Sequence, residues 1–113
     1  MLSIENLKMY GADVEDGLGR CMNNEGFYLK LVERSLQDAS FDDLETAIHE
    51  GDLDKAFEVA HSLKGVMGNL ALTPIYNPVV EITELLRSRT NMDYTELKDK
   101  IIEKRDELAE LCK

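Results

Sequence analysis

The segment Asp52 to Leu72, DLDKAFEVAHSLKGVMGNLAL, gathers the residue types able to move a charged group. Wound as a helix, it has one wholly apolar face: Val66, Val59, Leu70, Leu63, Ala56, Met67 and Ala60 share an arc of about 120°. On the other side, measured from His61, Gly68 lies at about −20°, Gly65 at +40°, Phe57 at −40° and Lys64 at −60°. An exposed imidazole is a nitrogen nucleophile that titrates near neutrality, and a cation one turn on steadies a phosphoryl group arriving at that nitrogen. Two glycines inside a helix cost about 1 kcal/mol each relative to Ala. Gly65 and Gly68 therefore call for a reason, and one is access: without side chains they leave a notch through which another protein reaches His61. The plainer alternative is that Gly68 begins the helix C-terminus and Gly65 is incidental. Phe57, one turn before His61, is either covered by N-terminal helices or part of an apolar docking patch.

Positioning these side chains is work for helices. Apolar residues recur at three- and four-residue spacing, with only two prolines in 113 residues and no strand-like alternation of useful length. A short helix from Ser3 to Met9 is predicted to stop at Gly11, and a weaker one to run from Asp13 to about Met22, loosened by Gly17 and Gly19. From Asn24 the apolar pattern continues to Gly51, as one long helix or two nearly collinear ones with Ser40 as the kink. Asp52 caps the helix that carries His61. The next restarts at Thr73-Pro74 with Thr as N-cap, or at Asn77-Pro78, since a proline one turn inside removes a hydrogen bond. A last helix starts near Asp93 and carries Tyr94, Leu97, Ile101, Leu108 and Leu111. The expectation is an all-α fold, an antiparallel four-helix bundle over residues 24–112 with short N-terminal helices over 1–22 packed across it. With 43% hydrophobic residues, residues 1–113 make one domain.

Composition narrows the partners. Thirteen Lys and Arg against 23 Asp and Glu leave a net charge of −10, which repels phosphodiester backbones and anionic lipid, so neither nucleic acid nor membrane is expected. Cys21 and Cys112 form no CxxC pair and are expected as buried thiols in a reducing compartment. Residues Met1 to Asn6 lack the basic region and apolar run of a signal peptide, which points to the cytoplasm. The strongest rival from another class is a metal-binding bundle, since Glu58 and His61 form an ExxH and Glu45 and His49 are one turn apart. Glu58 and His61 lie opposite the apolar arc, however, whereas such a site points inward, and no second ExxH follows. An inert interaction module is a further alternative, and His49 is read as a solvated residue favoured by its helix dipole.

The run AHSLKGVMGNLAL resembles the signature of histidine-containing phosphotransfer (HPt) domains, approximately A-H-x-L-K-G-x-x-x-x-x-G. Ala60, His61, Leu63, Lys64, Gly65 and Leu70 coincide with it, and Glu50-Gly51-Asp52 occupies the place of the family's usual G-D. The helix from Phe27 and the run Glu84-Leu85-Leu86-Arg87 resemble their counterparts, so the similarity covers about residues 20–90. Ala71 stands where many members have glycine, Pro74 and Pro78 interrupt a helix start that is usually regular, and Thr83 sits where some members place a glutamine that orients the histidine. The resemblance implies a phosphocarrier, not an enzyme: His61 as phosphoryl acceptor, Lys64 as its stabilising cation, and Gly65, Gly68, Phe57 and Arg87 at the docking face. Arg87 matches a basic position that some members use near the phosphoryl group. Implied partners are response-regulator receiver domains and a hybrid sensor histidine kinase. The chain itself is expected to act as a monomer with no metal or cofactor of its own, and Mg²⁺ is expected on the receiver.

Overall fold

The computed structural model describes all residues from Met1 to Lys113 and is helical throughout. In chain order the helices are α1 (Ile4–Tyr10), α2 (Val14–Arg20), α3 (Glu25–Ser35), α4 (Ser40–Glu50), α5 (Leu53–Asn69), α6 (Thr73–Arg87) and α7 (Thr95–Leu111). Four starts are set by short polar side chains that accept a first-turn N–H: Ser3, Asp13, Asn24 and Asp52. α1 ends at Gly11 and α4 at Gly51, both left-handed with φ of 117° and 72°.

Between Asn24 and Gly51 the chain forms two helices, and the break comes earlier than Ser40. The last turn of α3 tightens as Gln37 N–H donates to the Arg34 carbonyl and Asp38 N–H to that of Ser35. The Asp38 carboxylate then accepts from Ser40 N–H at 2.8 Å, an alternative to the helical ladder. α6 begins at Thr73 rather than at Asn77-Pro78. Leu72 is its N-cap and no side chain caps it, so Thr73 is already inside the helix. Pro74 sits in the first turn, where a missing N–H costs nothing, and Pro78 lies buried inside α6. α7 begins at Thr95, with Tyr94 as N-cap and the Asp93 carboxylate accepting from Thr95 N–H at 2.9 Å.

α5 packs most extensively on α6 and then on α4, while α7 lies against α6 and α4. Of the apolar arc of α5, Ala56, Val59, Ala60, Leu63, Met67 and Leu70 are buried, and only Val66 is half-exposed. They meet Phe41, Leu44, Ile75, Val79, Ile82, Leu86, Ile101 and Leu108 in one apolar core. Burying a Leu or Ile side chain stabilises by about 1.5–3 kcal/mol, so helix association rests on this face. Buried Thr83 donates from Oγ1 to the Val79 carbonyl of its own helix at 2.6 Å and is directed there rather than at the histidine. The N-terminal helices are tied down by polar contacts. Tyr10 donates to the Lys104 carbonyl at 2.7 Å, and Asp13 N–H donates to the Ala71 carbonyl at 3.0 Å. α2 and α3 meet at Gly17, where a Cβ would stand 2.4 Å from the Tyr28 hydroxyl; only glycine fits there.

Candidate functional site

α5 holds the residues of interest because its apolar stripe leaves one face to solvent. His61 and Gly65 are exposed and Lys64 is half-exposed on that face. The imidazole stacks on the Phe57 ring, with centroids 5.9 Å apart and planes at 16°. No hydrogen bond or ion pair within the chain engages it, so its nitrogens are unpartnered on an exposed side chain. Lys64 is likewise absent from every salt bridge of the molecule, although the chain is strongly acidic. Its ammonium is therefore available to an incoming anion.

The two glycines differ. A Cβ on Gly65 would meet nothing within 4 Å, so this position is an open notch beside His61. A Cβ on Gly68 would stand 2.9 Å from Cε1 of Tyr76. Gly68 thus serves the approach of the α6 tyrosine to α5, and the access expected of both glycines belongs to Gly65. The helix does end nearby: Ala71 adopts φ of 55°, with Leu72 N–H donating to the Met67 carbonyl and Ala71 N–H to that of Gly68. This is a Schellman cap formed on alanine, at the position where the HPt signature carries glycine.

His61, Lys64, Gly65 and Gly68 line one groove of about 510 Å³. Its far wall comes from α2, through Asp13, Asp16 and Arg20, and its end from Tyr76. Arg20 is held by Asp16 at 3.2 Å and reaches Asn69 at 3.5 Å. Sequence reasoning missed this wall. The i, i+4 pair Asp16 and Arg20 was visible as a helix ion pair, but no pattern tells which face of α2 lies over α5. Phe57 and Arg87 lie outside the groove. Phe57 is half-buried, and what lies over its ring is Arg87 and Arg89, each guanidinium carbon 5.1 Å from the centroid. Arg87 also pairs with Glu84 at 3.4 Å, and Arg89 with Asp54 at 2.8 Å.

A model of the Hpt domain matches residues 30–112. The chain belongs to the Hpt domain family. Among curated proteins and solved structures no significant match was found. Membership gives the chain a histidine phosphotransfer role in phosphorelay signalling, as a phosphocarrier that interacts with response-regulator receiver domains. The matched span of this Hpt domain contains the whole of α5 and begins within α3, so the α2 wall of the groove lies outside it. No helix of the Hpt domain is long and apolar enough to cross a membrane.

Proposed function

We propose that His61 accepts a phosphoryl group from the aspartyl phosphate of one receiver domain and passes it to another in a multistep His-Asp phosphorelay. The observation that carries this reading is an exposed imidazole and an unpaired Lys64 ammonium beside Gly65, where a side chain is missing and nothing fills the space. Nε2 attacks phosphorus in line; the N–P bond forms as the P–O bond to the receiver's carboxylate breaks, and the electron pair leaves with that carboxylate. Lys64 neutralises charge on the phosphoryl oxygens during transfer. Gly65 lets the receiver approach, Gly68 seats Tyr76 at the groove's end, and Arg87, which lies over the Phe57 ring, forms the adjoining edge of the docking face.

In this reading residues 1–113 act as one monomeric domain of the cytoplasm. The helices of 1–22, together with α3, cap an antiparallel four-helix bundle formed by α4 to α7 within residues 24–112. Transfer is stoichiometric and draws on no ATP site of this chain. ATP-dependent phosphorylation belongs to a hybrid sensor histidine kinase, and Mg²⁺ to the receiver.

The test is single-turnover transfer from a phosphorylated receiver, with acid lability identifying phosphohistidine. His61→Gln should abolish labelling with its melting temperature nearly unchanged, since the side chain is exposed. Lys64→Ala should slow transfer roughly tenfold to a hundredfold while receiver binding persists. Equal labelling of His61→Gln would remove His61 as the acceptor.

A further inference from the structure

The His61 ring stacks on Phe57, and the stack is supported from two elements, α5 and the end of α6. Phe57 precedes His61 by one turn, the spacing at which side chains on one helix face meet. Their rings lie at 16° with centroids 5.9 Å apart, within the range of offset aromatic pairs. Phe57 is itself held. Both Arg87 and Arg89 bring guanidiniums to 5.1 Å from its centroid, inside the range of a cation–π contact.

Arg89 is the more informative of the two. It lies just beyond α6 with φ of 50°, a left-handed conformation in which glycine or asparagine is the usual occupant. Its side chain is fixed at two points: Nε donates to Asp54 Oδ1 at 2.8 Å, and Nη1 donates to the Leu86 carbonyl at 2.6 Å. Asp54 stands one turn before Phe57 on α5. The ion pair thus ties the end of α6 to the start of α5 and lays the guanidinium over the ring that supports His61. A long cationic side chain at a backbone position that disfavours it, anchored both on α5 at Asp54 and on α6 at the Leu86 carbonyl, needs a purpose beyond chain reversal.

We infer that Phe57 is a positioning residue for His61, and that Arg89, with Arg87, locks it. The inference rests on the phosphocarrier reading. An exposed imidazole on a helix turns among rotamers, and only those that aim Nε2 along the phosphorus–oxygen axis react. Stacking removes the rest before the receiver arrives, so the effect falls on the rate within the complex and not on affinity.

Two measurements on the full chain test this. In proton NMR, the imidazole C–H resonances of His61 should be displaced upfield by the Phe57 ring current. Phe57→Leu should abolish that displacement, and Arg89→Asn, which suits the left-handed backbone, should reduce it. In single-turnover transfer across a range of phosphorylated receiver concentrations, Phe57→Leu should lower the saturating rate by about threefold to tenfold, with the half-saturating concentration unchanged. Arg89→Asn should lower it less, and Phe57→Tyr should keep most of the rate. An unshifted imidazole in the parent protein, or an effect of Phe57→Leu on half-saturation alone, would overturn the positioning role. A normal saturating rate for Phe57→Leu while His61→Gln is inactive would sink this inference and leave the acceptor standing; labelling of His61→Gln would sink both.

Discussion

Gly65 and Gly68 sit three residues apart on the same face of α5, yet only Gly65 opens onto empty space, whereas Gly68 lies under the Tyr76 ring. Substitution should separate them. Gly65→Gln recovers helix propensity on an exposed surface and should stabilise the domain by a few tenths to about 1 kcal/mol. The same side chain fills the notch beside His61 and should slow receiver-dependent transfer, because in-line attack needs an approach of ~3 to 3.5 Å. Gly68→Ala gains the same propensity but must push the tyrosine ring aside, so its melting temperature should rise less than that of Gly65→Ala. Thermal unfolding of these variants, with single-turnover transfer for Gly65→Gln, checks both halves. A destabilised Gly65→Gln with normal transfer would remove access as the reason for that glycine. The helical wheel had put both glycines on His61's face, but it contains no α6, and so could not distinguish an open glycine from a covered one.

At the scale of the element, the end of α5 decides the shape of the groove's rim. Ala71 holds φ of 55° with its methyl group largely buried, and its carbonyl accepts the Asp13 N–H that anchors the α2 N-cap. A left-handed L-residue costs roughly 1–2 kcal/mol, and the extra freedom of glycine in the unfolded chain returns part of any gain from relieving it. Ala71→Gly should therefore stabilise by roughly 0.5–1 kcal/mol. Urea denaturation reads this directly, and a lower midpoint would mean that the buried methyl outweighs the strain. Element starts were legible wherever a Ser, Asp or Asn took the first-turn N–H, as at Ser3, Asp13, Asn24 and Asp52. They were misread at Thr73, where the preferred capping residue type falls inside the helix and Leu72 occupies the cap without a side-chain bond.

Across the whole molecule, the helices that precede α4 are joined to α5 and α7 through tyrosine hydroxyls removed from solvent, which makes stability sensitive to alkali. Tyr28 donates to the Leu70 carbonyl at 2.7 Å; burial first, then the charges of Cys21, Asp13 and Asp16, push its hydroxyl up to about 12. Tyr10 is shifted upward as well, by burial and by Glu107. The folded state thus keeps a proton that the unfolded chain releases near its ordinary value of 10.0. Stability from Tyr28 is complete below that pH and is lost as pH rises toward about 12. The melting temperature should fall across this window. Tyr28→Phe should flatten the fall while lowering stability below it by about 1 kcal/mol, the worth of the lost hydrogen bond. An identical alkaline slope in the variant would assign the loss to other groups. The net charge of −10 adds self-repulsion, which salt should relieve in both proteins.

The helical class, the apolar stripe of α5 and the outward stripe of His61, Lys64 and Gly65 followed from the sequence alone. All three are consequences of local periodicity: a residue's angle around its own helix depends only on spacing. Tertiary structure decided what faces that stripe. Arg20 is distant from His61 in sequence, yet it comes to the same groove because Gly17 admits the Tyr28 hydroxyl and Asp13 bonds to Ala71. Arg89 comes to Phe57 because the end of α6 turns through a left-handed residue toward Asp54. Such contacts depend on how two helices are set against each other, and that is determined by packing of the shared core, where no single helix's pattern contains the answer.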